Sequence, residues 1–147
     1  MLVNIYSEWI SKFDVISVED GLNENDWEGW RAMNKKIGNK VVNIGDDLLV
    51  TKAERLKTAL KGNDACNAVL IKVNQAGTLT EAVDCMKLAQ KNKIKTVVSH
   101  RSGETTDDFI SDLAVGAGAD YMKSGSLSRG ERICKYNRLL RIEEELK

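Results

Sequence analysis

The sequence has 147 residues, with 22 lysines and arginines against 22 aspartates and glutamates. That length predicts one domain with a real core, and the neutral balance excludes the basic excess that a sequence-independent nucleic-acid binder needs. No run of about 18 apolar residues exists to predict a membrane span. Cys66, Cys85 and Cys134, odd in number and without CxxC spacing, predict reduced, buried thiols in a cytoplasmic protein.

At the start of the chain Leu2, Ile5, Tyr6, Trp9, Ile10 and Phe13 fall on one helical face, with Glu8 and Lys12 among them. This opening is expected to be an amphipathic helix and not a leader peptide. Five short apolar runs follow, at residues 15–18, 41–44, 68–71, 95–98 and 119–122. Each is too short for a helix and most are rich in β-branched residues, as buried parallel strands are. Helical periodicity lies between them, at Ala82, Met86, Leu88 and Ala89, and again at Ile133, Tyr136, Leu139, Leu140 and Leu146. Thr51 with Glu54, Thr78 with Glu81 and Ser128 with Glu131 fit the capping-box pattern, and Thr105 with Asp108 nearly does. Strands and caps recur together at intervals of 23 to 28 residues. The prediction is a helix followed by five strand–helix pairs, joined as right-handed βαβ units. There is no proline and no low-complexity linker, so residues 1–147 are expected to form one unit.

Each apolar run gives way to a polar, chemically useful side chain: Glu19, Asp46, Lys72, His100 and Lys123. Parallel barrels collect their active-site groups at the C-terminal ends of the strands, so these five are expected to converge. Glu19 and Asp46, carboxylates on neighbouring strands, suit a hard cation with oxygen ligands such as magnesium. Lys72 closes the apolar run 68–71, where desolvation and nearby positive charge would favour the neutral amine that a general base needs. Ser99, His100, Arg101 and Ser102 follow the fourth run and precede a helix, a setting that favours a phosphate. His100, the sole histidine, is expected to touch substrate there.

The segments Ser17-Val18-Glu19-Asp20-Gly21, Asn25-Asp26-Trp27-Glu28-Gly29-Trp30, Gly45-Asp46-Asp47-Leu48 and Leu70-Ile71-Lys72-Val73-Asn74-Gln75 resemble enolase. So do Gly77-Thr78-Leu79-Thr80-Glu81, residues 99–105 and the tail Leu139-Leu140-Arg141-Ile142-Glu143-Glu144-Glu145-Leu146, which extends the likeness over essentially the whole chain. The resemblance implies an α/β fold, the last five β/α units of an enolase-type TIM-like barrel, incomplete by itself. It implies the reversible dehydration of 2-phosphoglycerate to phosphoenolpyruvate in glycolysis, with Mg2+ as cofactor. It assigns Glu19 and Asp46 to the metal and Lys72 to the base. It further assigns Ser99, His100, Arg101, Ser102 and Lys123 to the substrate, Arg101 and Ser102 on its phosphate. Isoleucine and threonine more often flank that second lysine in the family, where Met122 and Ser124 stand here.

By the same resemblance an N-terminal domain, the first barrel strands, a third metal carboxylate, the general-acid glutamate and the lid loops are expected outside this sequence. The expected partners are therefore the substrate and either further copies of the chain or a partner chain supplying the missing portion. A second reading is a non-catalytic remnant or subunit that needs such a partner. A related enzyme acting on acid sugars fits less well, because of Lys72 and residues 99–104.

Overall fold

The computed structural model describes residues 2–147. The chain opens with α1 (Leu2–Lys12), then β1 (Ser17–Glu19), α2 (Trp27–Ile37), β2 (Val42–Gly45) and α3 (Ala53–Ala59). It continues through β3 (Ala68–Ile71), the single-turn α4 (Val73–Ala76), α5 (Leu79–Lys91) and β4 (Lys95–Ser99). The last elements are α6 (Phe109–Gly116), β5 (Tyr121–Lys123) and α7 (Gly130–Glu145). The strands lie in the order β1-β2-β3-β4-β5 and every neighbouring pair is parallel. The sheet curls into half of an α/β barrel, so that side chains from its two outer strands meet across the open mouth. Five strand–helix units were expected and are present, with strand bounds within about two residues of the apolar runs. The turn of helix directly after β3 was not expected.

Strand side chains alternate between the two faces, and the two faces differ in cover. Val69, Ile71 and Val98 pack outward into the main core, against Trp30, Leu56 and Met86 of the helices. Inward, Ile44, Ala68, Leu70 and Val97 form a small separate cluster with Val42 beside it. Parallel sheets are normally covered on both faces. Here the inner face opens at its margins, with Ile16 80% and Tyr121 46% exposed. Burial pushes the Cys66 thiol up to about 12 and that of Cys85 up to about 11, so both behave as small apolar fillers.

Three expectations need correction. Of the four capping boxes only Thr78 with Glu81 forms, the hydroxyl accepting from Glu81 N–H and the carboxylate from Thr78 N–H. The helices near the other three have Lys52, Asp108 and Arg129 in the N-cap position, without a side-chain cap. A serine or threonine hydroxyl serves whichever backbone group lies nearest, and at Thr51 that group belongs to the strand next door. The second correction concerns α1, where none of the described residues is buried. Val3, Tyr6 and Ile10 rest on the core, whereas Leu2, Trp9 and Phe13 face outward at 49%, 51% and 63% exposure. Thirdly, the inner stripe of α7 is centred on Arg132, Lys135 and Ile142, while Leu140 and Leu146 are exposed.

Candidate active site

Register brings the functional side chains together. Glu19 pairs with Ile44, Gly45 with Val69, Leu70 with Val97 and Ser99 with Lys123. Two-residue alternation from these pairs puts Glu19, Asp46, Lys72, Ser99 and Lys123 on the inner face at the C-terminal end of the sheet. The sequence reading had chosen His100 as the fourth member of this set. Ser99 is the residue that shares the register, and His100 belongs to the loop above it, its N–H bonded to Lys123 C=O at 2.9 Å.

One half of the mouth is built from carboxylates and lysines. The Lys72 ammonium meets Asp46 Oδ2 in an ion pair whose side chains are only 15% and 9% exposed. The sequence reading set Lys72 among positive charges; its neighbour in the structure is a carboxylate. Lys123 donates to both oxygens of Glu19, at 2.7 and 2.8 Å. Asp46 Oδ1 is buried and has no hydrogen-bond partner among the described residues.

Backbone devices hold this half in place. Asp20, in the left-handed region at φ 46°, accepts the N–H groups of Asp46 and Asp47, both at 2.9 Å. Burial raises its carboxyl above the ordinary aspartate value, despite those two bonds. After Asp46 the chain turns through Val50 and Thr51 with φ of 42° and 54°. Two consecutive β-branched residues in the left-handed region are strained, a condition that concentrates at functional sites. The turn delivers the buried Thr51 hydroxyl to β3, where it accepts from Lys72 N–H at 2.9 Å and contacts Leu70 C=O at 3.2 Å. The residue expected to cap α3 instead fixes the backbone of Lys72.

The other half of the mouth is the loop 100–105. Ser99 Oγ donates to His100 C=O at 2.9 Å, and Arg101 Nη1 is buried without a partner among the described residues. Ser102 is exposed and offers its carbonyl to Arg132. The unmatched Arg101 donor is a guanidinium N–H free to meet an anion. Two buried cations of α7 hold this loop. Arg132 Nη1 donates to Arg101 C=O at 2.7 Å and contacts His100 Nδ1, and its Nη2 donates to Ser102 C=O at 2.9 Å. Lys135, 1% exposed, spends its three protons on Glu104 Oε2, Thr105 C=O and Glu131 C=O at 2.7–2.8 Å. Glu104 Oε1 in turn accepts Arg101 N–H at 2.8 Å. Burial, then the positive charges of Arg132 and Lys123, hold His100 below the ordinary imidazole value.

The carboxylate half fits a hard cation. Asp20, Asp46 and Asp47 bring carboxylate oxygens within 4.8 Å of one another, and the unmatched Asp46 Oδ1 is a buried anionic oxygen of the kind magnesium takes. Glu19 lies outside this trio and is turned to Lys123. Asp20 belongs to it, but both its oxygens already accept backbone N–H groups, so it braces Asp46.

The family model described as the enolase C-terminal TIM barrel domain matches residues 1–147. This chain belongs to the enolase family. Membership accounts for the curled parallel sheet. Enolase-type barrels are metal-dependent lyase domains, and the three-carboxylate cluster agrees with that coarser description. No helix among the described residues is long and apolar enough to cross a membrane.

Sequence reasoning missed Asp20, Thr51, Arg132 and Lys135. For Arg132 and Lys135 a signal existed: with Ile142 they mark one helical stripe, and a cation inside such a stripe needs an anion or carbonyls.

Proposed function

We propose that this chain carries the base, the phosphate loop and part of the metal site of an enolase acting on 2-phosphoglycerate. The observation that carries this reading is the register: five functional side chains share one face and one end of a parallel sheet. It is supported by two unmatched groups of opposite character in that mouth, the anionic Asp46 Oδ1 and the cationic Arg101 Nη1. One suits a cation and the other the phosphate.

In this reading Lys72 gives its ammonium proton to solvent, leaves Asp46, and as the neutral amine takes the proton next to the substrate carboxylate. Thr51 keeps the Lys72 backbone at the end of β3 so that the amine reaches one place. Arg101, with Ser102 and His100, holds the phosphate, and Lys123 adds positive charge where negative charge grows. Glu19 and Asp46 would hold magnesium, which when bound supplies positive charge to the substrate carboxylate. A lysine or histidine base with magnesium is already general in the enolase superfamily. The departing hydroxyl needs a proton from an acid that none of these residues provides.

The sheet's outer strands each have one neighbour, leaving two unpaired edges and the exposed inner margins at Ile16 and Tyr121. Closed barrels of this class have eight strands. The reading therefore includes a further segment or partner chain that completes the sheet and brings the acid.

The test follows exchange of the substrate's α-hydrogen with solvent deuterium in the presence of magnesium, for the chain alone and with the N-terminal portion of an enolase added. Exchange is expected, with net phosphoenolpyruvate formation only in the supplemented mixture. Lys72→Ala should lose exchange by several orders of magnitude. Lys72→Arg should not rescue it, because a guanidinium stays protonated. Exchange that persists in Lys72→Ala, or is absent from the unsubstituted chain in both mixtures, overturns the assignment.

A further inference from the structure

We infer that Arg132 is a positioning residue that fixes His100 as the Nε2–H tautomer, a neutral donor for a ligand oxyanion. The inference deepens the proposed phosphate loop and rests on that reading only for the ligand. Its basis is the contact between Arg132 Nη1 and His100 Nδ1. A guanidinium has donors and no acceptor, and it does not deprotonate in proteins. The nitrogen that faces it must therefore be the bare, accepting one. A neutral imidazole with an accepting Nδ1 carries its proton on Nε2. Among the described residues, no hydrogen bond reaches that Nε2–H, so it is left for a ligand.

The contact is enforced from several sides. Arg132 is only 8% exposed and is tied by Nη1 to Arg101 C=O and by Nη2 to Ser102 C=O, so its guanidinium cannot swing away without breaking both bonds. Gly125 supplies the room. Its φ is 77°, and a Cβ there would stand 3.0 Å from His100 Cε1 and 3.3 Å from Arg132 Cδ. Charging the ring would place a second N–H against the guanidinium. Lys135 of α7 and Lys123 of β5 oppose that charge as well, while Glu104 favours it.

Because His100 is the sole histidine, its ring nitrogens can be read without ambiguity by long-range hydrogen–nitrogen correlation spectroscopy. The intact chain at neutral pH is expected to show a protonated Nε2 and a bare Nδ1, titrating at a midpoint below that of free imidazole. A protonated Nδ1, or a midpoint at or above the free value, overturns the role of Arg132 from the unsubstituted chain alone. In Arg132→Met the tautomers should mix and the midpoint should rise. An unchanged ring in a folded Arg132→Met also overturns that role. Inorganic phosphate, titrated into the chain, should shift the Nε2 proton and leave the tautomer as it was. In Arg132→Met it should bind about twofold more weakly, as the Nε2–H form falls from nearly all to about half of the neutral rings. Phosphate that leaves His100 unmoved overturns the donor role. Neither result depends on whether Lys72 abstracts a proton, so this inference and the proposed reaction can fail separately.

Discussion

The two halves of the mouth are held by different means. The carboxylate half, with Glu19, Asp46 and Lys72, is fixed from the turns next to the strand ends, by the Asp20 carboxylate and the Thr51 hydroxyl acting on backbone N–H groups. The loop half, residues 100–105, has one such local bond, Arg101 N–H to the Glu104 carboxylate, and that carboxylate is itself held by Lys135. The loop hangs on Arg132 and Lys135, long cations that reach it from the last helix. A strand end inherits its geometry from the ladder and needs only trimming, whereas a loop needs partners for its carbonyls and its charge. The loop half should accordingly depend on cations reaching in from the last helix, and the strand half on short-range side-chain bonds to backbone N–H groups.

The largest effect that sharpens this contrast is expected at Lys135. Replacing it with methionine keeps much of the stem's volume but strands the mostly buried Glu104 carboxylate and two carbonyls. Removing one member of a buried pair costs about 3–5 kcal/mol. Denaturant unfolding of Lys135→Met should show a loss of that order, and Glu104→Gln in the same chain should recover part of it. A loss under about 1 kcal/mol, the range of surface pairs, would mean that the loop is held by something else. The pair also sets a pH dependence. Burial works against ionising Glu104, but the Lys135 hydrogen bond and charge and the Arg101 N–H outweigh it and hold the carboxyl below the ordinary glutamate value. Its contribution is therefore full above that ordinary value and is lost as pH falls through the lower folded one. The stability gap between the chain and Glu104→Gln should close over that same acid window.

Thr51 comes next. Thr51→Val keeps the shape and the strained turn but removes the hydroxyl, leaving Lys72 N–H without its acceptor. A buried donor left unmatched costs about 1–3 kcal/mol. Thermal or denaturant unfolding measures the loss, and α-hydrogen exchange should fall with it as the Lys72 backbone loosens. Full stability in Thr51→Val would show that the strand half needs no such brace.

Most of the fold was legible because burial dictates it. Strands that must pack on both faces become apolar runs, and the runs lay within about two residues of the observed strands. The polar set at the strand ends was legible for the same reason, since it interrupts those runs. What escaped were decisions that depend on contacts between units. Thr51 looks the same in sequence whether it caps its own helix or crosses to β3, and only the left-handed turn at Val50 and Thr51 decides between them. Arg132 and Lys135 fall in line with Ile142 on one helical stripe, but which loop they hold shows only when α7 is laid against residues 100–105. The choice of His100 over Ser99 was avoidable, because counting by twos along β4 gives Ser99 the inner face.

The smallest effect is expected where the two outer strands meet. Lys123 and Glu19 make a two-pronged ion pair from opposite edges of the sheet, across the open mouth. It is tempting to credit the pair with holding the curl. Its side chains are 40% and 30% exposed, however, and water and salt screen charges so placed. Exposed pairs contribute about 0.2–1 kcal/mol, too little to bend five strands whose outer face is already packed against helices. Glu19→Gln should therefore cost no more than that in denaturant unfolding, with the difference shrinking further at high salt. A larger loss that survives high salt would mean that the pair, and not the helix-packed outer face, closes the mouth. The curl would then be a property of this ion pair and should relax whenever a ligand claims Glu19.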